Sequence, residues 1–292
     1  MSSKFGTTFR TLRQGRHLSL SEACQGIMTK SALSKFENGH STILFENLLP
    51  LLNRLHITFS EFLHAANDYA WNANGAFFRD LTNAYLNKNQ VTVMKMIRQE
   101  TAAAEGESDL RFHQINAITA KCVLALLKKT EVAGTDIQFV IDYLFDQDNW
   151  MQYELSFLRY VIPFYPPDRL LLLTKTMLRS GREFLSLGGN ADFGAETYLS
   201  ILATMLDNGC LADAKSALGM IEPNTALSLS LGSSLNLKEL EAVLQYLSGE
   251  REKGLAECRR VVETASWLGI DWEIGQLNDQ WEDLTRQALY GD

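Results

Sequence analysis

Residues 8–63 read TFRTLRQGRHLSLSEACQGIMTKSALSKFENGHSTILFENLLPLLNRLHITFSEFL, and the punctuation within this stretch decides the fold. Apolar residues recur at three- and four-residue spacing, the period of helices buried along one face. A first helix is predicted over about Phe5–Gln14, with Phe9 and Leu12 inward and Arg10, Arg13 and Arg16 toward solvent. Ser19 and Glu22 form an S-x-x-E capping box, each side chain meeting the other residue's backbone N–H, so a short second helix opens there. A turn follows through Gln25–Met28, and Thr29 caps a third helix reaching about Phe36. Asn38-Gly39 ends it, because both residues tolerate the left-handed backbone needed past a helix C-terminus. Fourth and fifth helices are expected over about Phe45–Leu55 and Ser60–Leu63.

The helical period continues beyond residue 70. Further helices are predicted near 75–86, 89–104, 108–128, 135–146, 149–162, 168–187, 191–207, 211–221, 234–248, 251–268 and 272–289. Alternating β-branched runs with hairpin turns are missing. Helices joined by short loops pack antiparallel, and many such pairs in series make a solenoid. A faint internal echo fits this: Asn208-Gly209 before Ala214 and Ala217 resembles Ser248-Gly249 before Gly254 and Cys258. The chain therefore reads as all-α, with a five-helix domain over residues 1–66 and a helical-repeat domain over 67–292. Pro163, Pro166 and Pro167 mark the clearest break inside the second part.

Composition narrows the function. Of 292 residues, 46% are hydrophobic and 21% charged, which is ordinary for a soluble globular protein. The N-terminal residues lack an apolar core and a cleavage site, and no apolar run approaches membrane-spanning length, so a cytoplasmic protein is expected. Cys24, Cys122, Cys210 and Cys258 are scattered, without a C-x-x-C pair, and read as reduced thiols with no metal site. No H-E-x-x-H, G-x-x-x-x-G-K, G-x-S-x-G or G-x-G-x-x-G occurs, and carboxylate pairs such as Asp146/Asp148 and Glu282/Asp283 read as caps and solvated surface. No catalytic residue, no cofactor and no enzyme activity are expected. The net charge of −8 is unevenly divided. Residues 1–64 carry seven basic groups against four acidic ones, a net +3, and the remainder carries 20 against 31, a net −11. A basic head on an acidic body suits phosphate binding by the head alone.

A second helix, a tight turn and a third helix is also the arrangement that seats a recognition helix in the major groove of DNA. The stretch resembles the Xre/phage-repressor class of helix-turn-helix domain along its length. The likeness rests on Leu12-Arg13, Leu18-Ser19, Ser31-x-x-Ser34-Lys35-Phe36-Glu37-Asn38-Gly39, Leu52…Leu55-x-Ile57 and Phe62-Leu63. The resemblance implies a lambda-repressor-like fold, with Lys30, Ser31, Ser34 and Lys35 on base edges. It implies that Arg13 pairs with Glu37 while facing a phosphate, and that Arg10, Asn38 and His40 are further phosphate contacts. Leu20 stands where the class often has Gln, so a contact is lost there. Taken singly, an exposed lysine is as well explained by solvation.

The second part resembles the regulatory domain of the Rgg family, peptide-responsive regulators of Gram-positive bacteria. The strongest local match is residues 141–165, IDYLFDQDNWMQYELSFLRYVIPFY, centred on Trp150, Tyr153, Glu154 and Leu155. The resemblance implies a TPR-like solenoid that binds a short hydrophobic signalling peptide on its concave face, as in quorum sensing. Arg79, Arg111, Tyr153 and Arg159 are the candidate peptide contacts. The competing reading makes Trp150 and Tyr153 core aromatics and pairs Arg159 with an acidic neighbour. Expected partners are promoter DNA with paired half-sites, the peptide and a second copy of the chain, with RNA polymerase a further candidate. Leu240, Leu244, Trp267 and Leu268 are candidates for the homodimer contact. The alternative function is a peptide-independent Xre-type repressor whose helical domain only dimerises or binds a protein partner.

Overall fold

The computed structural model describes residues 2–67, 73–106, 110–185, 191–221 and 229–270, and every regular element among them is helical. The head contains α1 (Ser2–Gly15), α2 (Leu20–Cys24), α3 (Lys30–Glu37), α4 (Phe45–Arg54) and α5 (Phe59–Ala66). Three of these open on side-chain caps. The Ser19–Glu22 box starts α2, the Thr29 hydroxyl accepts from the Ala32 N–H to start α3, and a Thr58–Glu61 box starts α5. The last box lies two residues before the expected Ser60 start, because Thr58-x-x-Glu61 is the better cap. Phe9, Leu33, Phe36, Leu51, Leu52, Leu55 and Phe62 form the buried centre.

The remaining helices are α6 (Ala73–Leu86), α7 (Gln90–Gly106), α8 (Leu110–Lys128), α9 (Gly134–Phe145), α10 (Gln152–Val161), α11 (Leu170–Ser180), α12 (Arg182–Leu185), α13 (Ala191–Asp207), α14 (Leu211–Leu218), α15 (Leu231–Leu247) and α16 (Arg251–Trp267). Packing divides the chain into two compact units, Met1–Arg79 and Asp80–Asp292, so the boundary falls inside α6. Within the second unit α7 pairs with α8 and α15 with α16, while α10 packs on both α8 and α13, and α13 on α15. The two echoed glycines are turn residues with left-handed backbones, Gly209 at φ 71° and Gly249 at φ 98°. Gly254 lets α16 press on α15: a Cβ there would lie 2.7 Å from the Ala242 carbonyl oxygen.

Several expected helix ends shift by up to three residues, and two of the differences have a clear physical cause. The helix expected from residue 149 begins at Gln152, because Trp150 is fully buried, with its indole N–H donating to Leu144 O (3.0 Å) and its backbone N–H to Ser180 O (2.9 Å). The one expected over 168–187 opens with a 3-10 turn at Pro167–Arg169 and is divided at Gly181, next to the Ser180 carbonyl that Trp150 engages. Leu240 and Leu244 are buried in the packing of α15, which removes them from any dimer surface, whereas Trp267 is 84% exposed. The helix expected over 272–289 lies outside the described residues. Cys24, Cys122 and Cys258 are buried free thiols, and burial pushes Cys122 and Cys258 up to about 12. Among the described residues no helix is long and apolar enough to cross a membrane, and no His, Cys, Asp or Glu cluster gathers as metal ligands.

Candidate functional site

Helix α3 buries Leu33 and Phe36 and leaves Lys30, Ser31 and Lys35 exposed, with Ser34 half-buried beside them. These four occupy positions i, i+1, i+4 and i+5, one face of a helix. Asn38 ties that face to α1: its amide donates to Ser34 O at 2.7 Å, and its Oδ1 accepts from Arg10 Nη1 at 3.2 Å. Gly39, at φ 74°, turns the chain so that the His40 N–H reaches back to Lys35 O, and His40 emerges exposed at the end of α3. The structure thus gathers Arg10, Ser34, Lys35, Asn38 and His40, with Lys30 and Ser31 at the opposite end of the helix.

Arg13 is different. Its Nε meets Glu37 Oε1 at 2.6 Å, its Nη2 meets Oε2 at 2.8 Å, and its Nη1 donates to Leu18 O at 2.5 Å. The two side chains are only 8% and 3% exposed. The pairing implied by the resemblance is present, but the solvent-facing orientation expected of Arg13 is not: the guanidinium lies inside, closing α1 onto the end of α3. Hydrogen bonding to Glu37 raises the Arg13 pKa further above its already high ordinary value. Beside this pair, Gly6 brings backbone against backbone, since a Cβ there would lie 1.9 Å from Phe36 O.

The candidate ligand residues of the helical domain have partners within the protein. Arg111 pairs with Asp146 at 3.0 Å on an exposed surface. The Tyr153 hydroxyl is 3.1 Å from both Phe112 O and Asn116 Oδ1, and its ring stands edge-on to Phe112 and Phe157. Arg159 lies 4.9 Å above the Tyr160 ring and reaches Glu196 of α13 at 3.6 Å. Tyr153 therefore packs on Phe112, the chain neighbour of Arg111, whereas Arg159 turns to a different helix. Arg79 is exposed on the part of α6 that belongs to the first unit. Glu154 is buried, accepting from the Tyr143 hydroxyl (2.7 Å) and the Met151 N–H (2.8 Å), so with Trp150 it builds a corner rather than a binding surface. A groove of about 390 Å³ between α7, α8 and α9, lined by Ala104, Glu105, Ile118 and Phe139 among others, includes none of the four candidates.

Residues 94–272 match the family profile of the HTH-type transcriptional regulator Rgg, C-terminal domain, and residues 9–62 match a helix-turn-helix profile. The chain belongs to the Rgg family of transcriptional regulators. Its fold is shared with the SHP pheromone receptor Rgg2 of Streptococcus dysgalactiae, at TM-score 0.74 and 22% identity over 91% of this chain and 94% of that one. A protein of Listeria monocytogenes EGD-e superposes with TM-score 0.80 at 16% identity, covering 99% and 98% of the two chains. PrgX in its complex with iCF10 superposes with TM-score 0.68 at 16% identity, covering 98% and 87%. At these identities the likeness concerns fold.

In this Rgg-family chain, reasoning from sequence missed Glu196 as the partner of Arg159 and Asn38 as the tie between Arg10 and Ser34. It also counted Arg54 only as head charge, whereas Arg54 bonds to the end of α2. Apart from Ser34, four residues before Asn38, each partner is remote along the chain, so no local spacing announces it.

Proposed function

We propose that this Rgg-family regulator reads paired half-sites of promoter DNA as a homodimer, with α3 in the major groove, under the control of a short hydrophobic peptide bound on the concave face of its helical domain. The observation that carries the DNA reading is the exposed face of α3, where Lys30, Ser31, Ser34 and Lys35 stand with Arg10 tied alongside through Asn38. Lysine donates to guanine O6 or N7, and serine donates or accepts at several bases. Arg10, Asn38 and His40 supply phosphate contacts, while Arg13 acts from inside by fixing α1 to α3. Trp267 and Leu268, exposed at the end of α16, support the homodimer.

Arg111, Tyr153 and Arg159 are the proposed peptide contacts, supported by the fold shared with the SHP pheromone receptor Rgg2 and the PrgX/iCF10 complex. A peptide carboxylate reaching Arg159 would displace Glu196, whose long and partly exposed pairing is weak. The peptide must bind one conformation better than another to change output, either through the angle between two heads or through contact with RNA polymerase. A second reading, the peptide-independent repressor, is favoured by the internal partners that Arg111, Tyr153 and Arg159 already have. Calorimetry of the full chain with short peptides encoded beside its gene separates the two. Binding that Arg159→Ala weakens, with DNA affinity intact, supports the first reading. No binding, together with reporter output indifferent to deletion of those genes, supports the second.

A further inference from the structure

We infer that Arg54 is a positioning residue for DNA recognition: from α4 it grips the end of α2 and the turn that aims α3, without itself touching DNA. A helix leaves its last carbonyls without partners of its own, and α2 is only five residues long. Ser21 O accepts a weak bond from Cys24 Sγ at 3.6 Å, and Cys24 O accepts from the N–H groups of Ile27 (2.9 Å) and Met28 (3.1 Å). The carbonyls of Glu22, Ala23 and Gln25 converge on one atom, Arg54 Nη1, at 3.2, 3.0 and 2.6 Å. A cation at a helix C-terminus also meets the negative end of the helix dipole.

The grip spans the point where direction is decided. Gln25 leaves the helix at ψ 122°, Gly26 follows at φ 74°, and Thr29 opens α3. The angle between α2 and α3 is thus set by residues 25–28, and Arg54 holds both the helix before them and the first residue among them. Its own mount is firm, because Leu48, Leu51 and Leu52 bury α4 in the core of the head. A basic residue in a DNA-binding head invites a phosphate assignment; these bonds give Arg54 a different task.

The test uses the full chain and two labelled 30-base-pair duplexes, one selected from a random pool by the wild-type protein and one unselected. Arg54→Met should weaken binding to the selected duplex about tenfold, with little change on the unselected one, so the ratio between them falls. The dependence of log affinity on log salt should keep its slope. A slope smaller by about 0.9, with equal losses on both duplexes, is the signature of a lost phosphate contact and would overturn the inference. So would a folded variant with a lower melting temperature and an unchanged ratio, which is a purely structural role. Arg54→Lys keeps a cation with three N–H donors and should restore the ratio to within about threefold. If Arg54→Met does not fold, Arg54→Gln replaces it with the same two readouts and the same overturning results.

Discussion

The two units secure their helices with a different balance of local caps and distant partners. In the head, Ser19, Thr29 and Thr58 cap α2, α3 and α5 within three residues of themselves, and the distant Arg54 reaches from α4 to hold the end of α2. In the second unit Ser230 caps α15 and Glu154 takes the Met151 N–H at the start of α10, but α9, α14 and α16 begin without a side-chain cap. There, distant residues hold the ends and the loose carbonyls. The Trp150 N–H takes Ser180 O, the Trp150 indole takes Leu144 O, and the Tyr198 hydroxyl takes Ala217 O. Interior threonines such as Thr119, Thr174 and Thr204 turn back to the carbonyl four residues earlier, which lets a polar side chain sit inside the packing. A small domain with locally closed helices leaves its outer face open for recognition. A helical domain whose polar groups hold one another must break such a contact to bind through the same groups.

The largest effect is expected at the long-range buried pair of the head, Arg13 and Glu37. Glu37→Ala should destabilise the head by about 3–5 kcal/mol, because Arg13 is left charged and buried without its partner. Hydrogen exchange read separately over residues 2–66 and 80–270 should show the loss in the head. A double-mutant cycle with Arg13 that gives no coupling would remove the pair from the account. Gly6→Ala comes next. Its Cβ would collide with Phe36 O, so α1 must move off α3 at a cost of about 3 kcal/mol, near the upper end for overpacking. Gly254→Ala is the matching change in the second unit and should loosen α15 from α16, while Gly15→Ala, with nothing near its Cβ, should leave both units unchanged.

Lys35→Ala tests the open face rather than the frame. It should weaken DNA binding by about 1–3 kcal/mol if Lys35 reads a base, or lower the salt slope by about one if it meets phosphate. Stability should not change, because Lys35 is exposed. Unaltered affinity and slope on a selected duplex would take Lys35 out of the interface.

The smallest effect separates the units by pH. The Ser19 hydroxyl and N–H hold the Glu22 carboxyl below the usual carboxylate range, and the Thr58 N–H and hydroxyl do the same for Glu61. A depressed carboxylate stabilises above its unfolded pKa, and that help is lost as pH falls through the folded value, so the head weakens in acid. In the second unit burial raises Tyr165, Cys122 and Cys258 to about 12. Their contribution is present at neutral pH and fades as pH rises from the ordinary phenol and thiol range toward about 12, so the second unit weakens in alkali. Region-resolved hydrogen exchange at matched intrinsic rates checks both limbs, and Glu22→Gln with Glu61→Gln should flatten the acid one.

Much of the head was legible because its instructions are short. S-x-x-E, Thr29 and Asn38-Gly39 act on backbone groups within a few residues, and the period of Leu33, Phe36, Leu48, Leu51 and Leu52 names the buried side. Helix periodicity alone likewise determined that the second unit is helical and repetitive. Tertiary structure decided the rest. It turned Arg13 inward, set Arg54 on the end of α2, divided the helix at Gly181, and matched Arg159 to Glu196 and Thr82 to Tyr160. The physical reason is reach. A hydrogen bond three or four residues long depends on spacing that the chain itself carries, whereas a partner dozens of residues away exists only after packing has brought two helices together and excluded the water that would otherwise take its place.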